Sequence, residues 1–281
     1  MRARPTGSWT GLDAFDTAGM AILLQASQID AFRETGLRAF ESEMAAHLRR
    51  FSPPLMATLD EAATCAVVRQ GMAQAGGHGL DCRGPVRLYL ELMLLFGSHF
   101  DTDPQYPWAA DCLGESDPTT QMQRAEALYE QVCLYRAAVH GHADEHTFAA
   151  LRRLRAFAAG PLALQRETAV DALWQHFLQL HPHKARRVGR AAMQDLIRHA
   201  ARCAHEAGLP SLRGVALMAV LMLAFGHGCA EDPLYAWIGG TLRNPAIADG
   251  ARREQRLESK ALTWLDHALV HLDPQSEGKA A

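Results

Sequence analysis

LMLLFGSHFDTDPQYPW, residues 92–108, returns as LMLAFGHGCAEDPLYAW, residues 221–237. Leu92 and Leu221 lie 129 positions apart, and that one offset, applied without gaps, pairs residues far outside the quoted stretch. Upstream it joins His47 to His176, Pro53 to Pro182, Arg69 to Arg198, Gly79 to Gly208 and Leu80 to Leu209. Downstream it joins Leu113 to Leu242, Arg124 to Arg253, Leu128 to Leu257 and Tyr135 to Trp264. A register held over roughly a hundred residues reads as an internal repeat. Two copies are too few for an open solenoid with capping repeats, so a tandem duplication is expected.

Each copy parses into the same elements, and no alternating strand pattern of useful length interrupts them. The expected fold is therefore all-α, a tandem duplication of a five-helix unit. In copy one SQIDAFRETGLRAFESEMAAHLRRF sets Ile29, Phe32, Leu37, Phe40, Met44 and Leu48 near one stripe, with Ser27 as N-cap, and Ser52-Pro53-Pro54 ends the helix. A second helix is expected at about 59–74, closing at Gly76-Gly77, with its copy at about 190–206 closing at Gly208. The third, VRLYLELMLLFG, carries only Arg87 and Glu91 as charges, and its copy VALMAVLMLAF carries no polar residue. A helix apolar all round must be surrounded by protein, so this is the central helix of each unit. Gly97 and Gly226 supply the left-handed residue that stops it.

The quoted motif then admits two readings, a site used twice or a corner of the fold copied with it. Asp103-Pro104 and Asp232-Pro233 place a capping carboxylate before a residue that lacks an N–H, the expected start of a short helix carrying Tyr106 and Trp108, or Tyr235 and Trp237. Asp117-Pro118 and Asn244-Pro245 open the last helices, which run to about Val139 and Leu272. The loop interiors, Ser98–Thr102 and His227–Glu231, share nothing, whereas a site used twice keeps its polar atoms. Stop, cap and buried aromatics account for the matches as structure.

The division expected is an N-terminal extension, 1–19; a first unit, 20–140; a connector, 141–160, with a polar hinge and a helix; and a second unit, 161–281. With 48% hydrophobic residues over 281 positions, a sizeable core is available. Lys+Arg 28 against Asp+Glu 31 leaves a net charge of −3 without long runs of one sign, which argues against nucleic acid or an anionic membrane as partner. The six cysteines form no CxxC and most sit in apolar helical patterns, consistent with a reducing, cytoplasmic setting. The longest charge-free apolar run, Val215 to Gly226, falls short of the ~20 residues that span a bilayer. No apolar segment follows the N-terminal arginines, so no secretory signal is expected.

Motifs that carry chemistry are sparse. His142-Ala143-Asp144-Glu145-His146 matches HxxEH, in which two histidines one helical turn apart hold zinc while the glutamate activates water. It stands in the connector without an evident third ligand, and with His140 it reads as a polar hinge. A metal-dependent hydrolase using His142, Glu145 and His146 is the alternative it keeps open. His267 and His271 suit a helix C-terminus, while His199 with Cys203 and His227 with Cys229 read as packing and surface. Asp101 and Asp103 resemble a carboxylate pair for Mg²⁺, but copy two has Ala230 at the first position. No nucleophile elbow, phosphate loop or dinucleotide fingerprint appears, and no catalytic, metal-binding or cofactor-binding residue is expected.

LYLELMLLFGSHFDTDPQYPWA, residues 88–109, is similar to a family of small all-helical bacterial proteins encoded beside type VI secretion effectors and their spike-loading chaperones, with an FDxDPxLPWA signature. Phe96, Gly97, Phe100, Asp101, Asp103, Pro104, Pro107, Trp108 and Ala109 stand on it. The likeness spans about residues 20–140; in copy two Phe100, Asp101 and Pro107 become Cys229, Ala230 and Ala236. The resemblance implies a non-enzymatic adaptor or co-chaperone that binds an effector or its loading chaperone, with Phe100, Asp101, Asp103, Tyr106, Pro107 and Trp108 as partner-binding residues. An immunity protein that neutralises a cognate toxin is the other binding role.

Overall fold

A computed structural model describes residues 26–114, 120–158, 160 and 162–271. The described residues are helical without strands. They divide into an N-terminal unit within residues 1–40 and a body, 41–281.

Helix α1 spans Ala26–Phe51, so Ser27 lies within it and not at the N-cap expected of it. In the N-terminal unit Thr35 Oγ1 donates to the Ala31 carbonyl at 2.8 Å, and Arg38 pairs with Glu34 one turn away. Phe32 and Leu37, expected on the buried stripe, are exposed by 67% and 56%. Further along, in the body, Met44 and Leu48 are buried as the 3.6-residue period requires.

The body continues with α2 Pro53–Met56, α3 Glu61–Gly77, α4 Arg83–Phe96, α5 Pro107–Leu113 and α6 Gln121–Val139. A 3₁₀ turn at His142–Asp144 leads into α7, Glu145–Ala158. After it come α8 Ala169–Leu180, α9 Pro182–Val188, α10 Arg190–Glu206, α11 Leu212–Phe225, α12 Ala236–Leu242 and α13 Gly250–His271. The bounds of α3, α4 and α5 become those of α10, α11 and α12 on adding 129. The first helices differ, since α8 has 12 residues where α1 has 26.

Local chemistry explains the boundaries. Asp60 caps α3 by accepting from Ala63 N at 2.7 Å. That helix runs through Gly76-Gly77 and closes at Gly79, φ 69°, with Leu80 N donating to Ala75 O at 2.9 Å. Gly208, φ 67°, and the bond from Leu209 N to Ala204 O at 2.9 Å repeat the same stop after α10. Arg124 Nη1 then donates to His78 O at 2.8 Å, and Arg253 Nη1 to Ala207 O at 2.6 Å, each tying a last helix to the end of a second. The Asp117-Pro118 start expected for α6 lies outside the described residues. Its counterpart Asn244 only makes a turn, accepting from Ala246 N at 2.9 Å, and the carboxylate that opens α13 is Asp249, bonded to Ala251 N at 3.1 Å.

The core follows the repeat. Leu48 and Phe177, Val67 and Leu196, Val68 and Ile197, Tyr89 and Met218, and Met93 and Met222 are all buried to 1% exposure or less. The apolar rods α4 and α11 bury Leu90, Leu92 and Met93 of one and Met218, Leu221 and Met222 of the other, but α11 is not surrounded as expected, since Val215, Leu217 and Val220 are half-buried and Ala224 is exposed. Around each rod's end an aromatic group collects: Phe96 with Tyr106, Trp108 and Tyr135, and Phe225 with Tyr235, Trp237 and Trp264. Among the described residues no helix is long and apolar enough to cross a membrane.

Candidate functional site

The twice-written motif meets itself. Gly97 and Gly226, at φ 96°, ψ 155° and φ 92°, ψ 157°, occupy a region open essentially to glycine alone, and not the left-handed helical one expected. A Cβ on Gly226 would stand 2.9 Å from the Phe96 carbonyl oxygen, and one on Gly97 would overlap that of Phe225. The two rod ends therefore touch backbone to backbone. Across that contact Asp232 Oδ2 accepts from Ser98 N at 2.7 Å, and Asp103 Oδ2 accepts from His227 N at 2.6 Å. Ser98 and His227 are themselves 129 apart, so the exchange is reciprocal.

Each aspartate also caps its own turn, through Gln105 N to Asp103 Oδ1 at 2.8 Å and Leu234 N to Asp232 Oδ1 at 2.9 Å. In the first copy this is a turn, and α5 begins later, at Pro107. Burial pushes the Asp232 carboxyl above its usual range, while bonds from Ser98 and Leu234 pull it back. Asp103 takes Gln105 Nε2 as well, at 3.1 Å, and that amide also donates to Met222 O at 3.0 Å, an end carbonyl of α11.

Of the motif residues expected to bind a partner, Phe100 and Asp103 are buried at 0% and 2% exposure, and Tyr106 is buried with its hydroxyl bonded within the chain. Asp101, also buried, holds His78 Nε2 at 2.8 Å. Pro107 is exposed and Trp108 half-buried. In the connector, Ala143 and Asp144 have φ 49° and 59°, so His142 and His146 do not share one helical turn. Asp144 is held by His140 Nδ1 at 3.2 Å and Arg136 at 3.6 Å, and His146 stacks on His183 with ring centres 3.6 Å apart. No group of three or more His, Cys, Asp or Glu among the described residues is placed to hold a metal ion. His271 lies where side chains are outside the described residues, so its pairing with His267 has no geometry here.

Beside the junction open two cavities that use equivalent positions. One, about 600 Å³, is lined by Ser52, Leu55, Tyr235, Trp237, Trp264 and His267. The other, about 350 Å³, is lined at the corresponding positions by His181, Lys184 and Tyr106, and is flanked by α7 through Phe148, Leu151 and Leu154. Lys184 is the residue that sequence reasoning missed. It is 7% exposed, its Nζ donates to Leu223 O at 2.6 Å and Tyr106 Oη at 3.1 Å, and it lies 5.3 Å from the Tyr106 ring centre. Burial lowers its pKa from 10.5 to about 8, with Asp103 opposing. Burial and the neighbouring Lys184 lower His181 to about 3, so its imidazole is neutral at pH 7. Burial holds the Tyr106 hydroxyl well above the usual phenol range. Within HPHKARR, Lys184 reads as part of a basic surface turn; the signal that finds it is its counterpart, Leu55.

No family model matches the chain, and no curated protein and no solved structure matches it.

Proposed function

We propose that the chain is a tandem duplication of a five-helix unit and acts as a non-enzymatic adaptor or co-chaperone for a type VI secretion effector or its loading chaperone. The recurrence of helix bounds and of the Gly–Asp exchange at one offset supports the duplication. The family resemblance of residues 88–109 supplies the class of partner. With most of that motif spent on internal packing, the binding face belongs on an outer helix surface.

One observation carries the adaptor reading. Helix α6 buries Arg124, Leu128, Val132, Tyr135 and Val139, yet its opposite side presents Met122 and Tyr129, each 59% exposed. Residues seven apart fall on one helix face, and Cys133, also exposed, continues it by one turn. Tyrosine and methionine are the residue types that protein interfaces concentrate, and two exposed on one face form an anchor pair.

The test is co-purification from cells that carry the neighbouring effector and chaperone genes. The native protein is expected to retain the effector or the chaperone, and Met122→Asp with Tyr129→Asp to lose at least ten-fold of that retention at unchanged melting temperature. Retention of an isolated toxic domain, with rescue of growth, would replace the adaptor by an immunity protein. Equal retention by the double variant would remove α6 from the account.

A further inference from the structure

Lys184 presents an unusual balance of charge. Its ammonium is enclosed, and its two hydrogen-bond acceptors, a carbonyl and a phenol, are both neutral. Among the described residues no carboxylate comes within ion-pair distance of it. Asp144, the one carboxylate on the cavity wall, is taken by His140 and Arg136. Asp103, the buried carboxylate whose field reaches Lys184, is occupied by His227 N and both nitrogens of Gln105. Buried cations are normally paired, and this one keeps a third N–H without an acceptor among the described residues and a full charge facing a hollow.

A structural role for Lys184 accounts for only part of this. By donating to Leu223 O it satisfies a free carbonyl at the end of α11, where a cation also suits the helix dipole. The fold does not demand that cap. At the end of α4 the equivalent carbonyl belongs to Leu94, and the position equivalent to Lys184 is Leu55. One copy thus carries a half-buried leucine at the position where the other has a desolvated charge.

Arg136, His140, Asp144 and Thr147 make one side of the wall polar, and the rest is apolar. Leu94, Leu151, Leu154, Val220, Ala224 and Trp264 bound the same cavity, and its 350 Å³ falls at the lower end of small-molecule sites. His181 adds a neutral imidazole whose Nδ1 accepts from the backbone N–H of Lys184 at 3.4 Å, leaving its proton on Nε2 as a further donor. A mostly apolar chamber whose one buried cation stands at its end, the other cation Arg136 being exposed and paired with Asp144, selects a molecule with an apolar body and one negative head.

We propose that this cavity binds an apolar monocarboxylic acid, with its carboxylate on Lys184 Nζ and its hydrocarbon part along Leu151, Leu154, Val220 and Trp264. The carboxylate supplies the missing counter-charge, while the body displaces water from apolar walls. The adaptor reading is independent of it, since α6 presents Met122 and Tyr129 to solvent and not to this cavity.

Isothermal titration of the full-length protein with decanoate, and with decanol as the uncharged control, tests the assignment. The native protein is expected to bind one decanoate, at least ten-fold tighter than decanol. Lys184→Met is expected to abolish that difference while leaving decanol binding in place. Leu151→Trp, which fills the chamber from α7 without touching Lys184, is expected to remove binding of both and stands as the second variant should Lys184→Met fail to fold. The proposal is overturned if the native protein binds neither compound, if it binds both alike, or if either folded variant keeps native affinity for decanoate.

Discussion

Lys184 and His181 show how burial converts ordinary side chains into groups with a pH signature. For Lys184 the folded value of about 8 lies below the unfolded 10.5. Between these values the unfolded chain holds a proton that the folded chain has released, so stability rises with pH across that window. Below about pH 8 both states are protonated and the penalty, roughly 3 kcal/mol, is fully present. His181 has the same sign lower down, losing stability as pH falls from 6.5 towards about 3. Buried tyrosines act oppositely above their unfolded values, as Tyr106, Tyr135 and Tyr235 are all held protonated by the fold. A comparison with Lys184→Met cancels those contributions. In urea unfolding at pH 7.5 and 9.5, the native protein is expected to gain about 1–2 kcal/mol relative to the variant. Parallel pH dependences would show that Lys184 is not desolvated.

The ends of α4 and α11 explain why an apolar helix stops where it does and what the stop achieves. Gly97 ends α4 at a backbone conformation that β-carbon residues avoid, and the same atom's absence lets the Phe225 carbonyl approach. Gly97→Ala is therefore expected to cost about 3 kcal/mol or more, from backbone strain and separation of the two rods. Gly76 is the control, because it lies inside α3 with nothing within 4 Å of an added Cβ. Gly76→Ala is expected to stabilise by up to about 1 kcal/mol through its effect on the unfolded chain. Thermal unfolding of both variants checks the pair, and equal shifts would deny Gly97 its special place. Much at this level was legible in the sequence. The all-helical class, the buried faces of the two rods and the bounds of α10 follow from apolar periodicity and glycine stops, which are local signals. Phe32 and Leu37 escaped because periodicity states which residues share a face and not whether anything covers it. The bond from Ser98 N to Asp232 was equally illegible: its partners stand 134 positions apart, and the capping role of an Asp-Pro pair already accounted for the residue. Arg124 and Arg253 were visible as a match, but only the folded chain shows that both hold the end of a second helix.

Within the body, 41–281, the two copies of the sequence motif meet in one reciprocal contact, and reciprocity is what a two-fold interface requires. Gly97 faces the carbonyl of Phe225 as Gly226 faces that of Phe96, and each aspartate reaches the amide that follows the other glycine. Such a contact is self-complementary, since Asp103 accepts from a backbone amide and Ser98 N donates to a carboxylate. On the duplication reading, residues 20–140 carry both parts and need no second sequence to complete the exchange. That stretch, produced alone, is therefore expected to associate as a symmetric dimer, Ser98 N of each copy donating to Asp103 of the other. Asp103→Asn presents an amide N–H or a neutral oxygen where His227 N now finds a carboxylate, and weakens that exchange in the intact chain by about 1–3 kcal/mol. In the isolated half the loss occurs twice, once at each end of the two-fold. Light scattering coupled to size exclusion would read a mass near twice that of the half, falling to a single copy with Asp103→Asn. A half that stays folded and monomeric at high concentration would mean that the rods are held by their own unit, with the exchange a consequence of tethering.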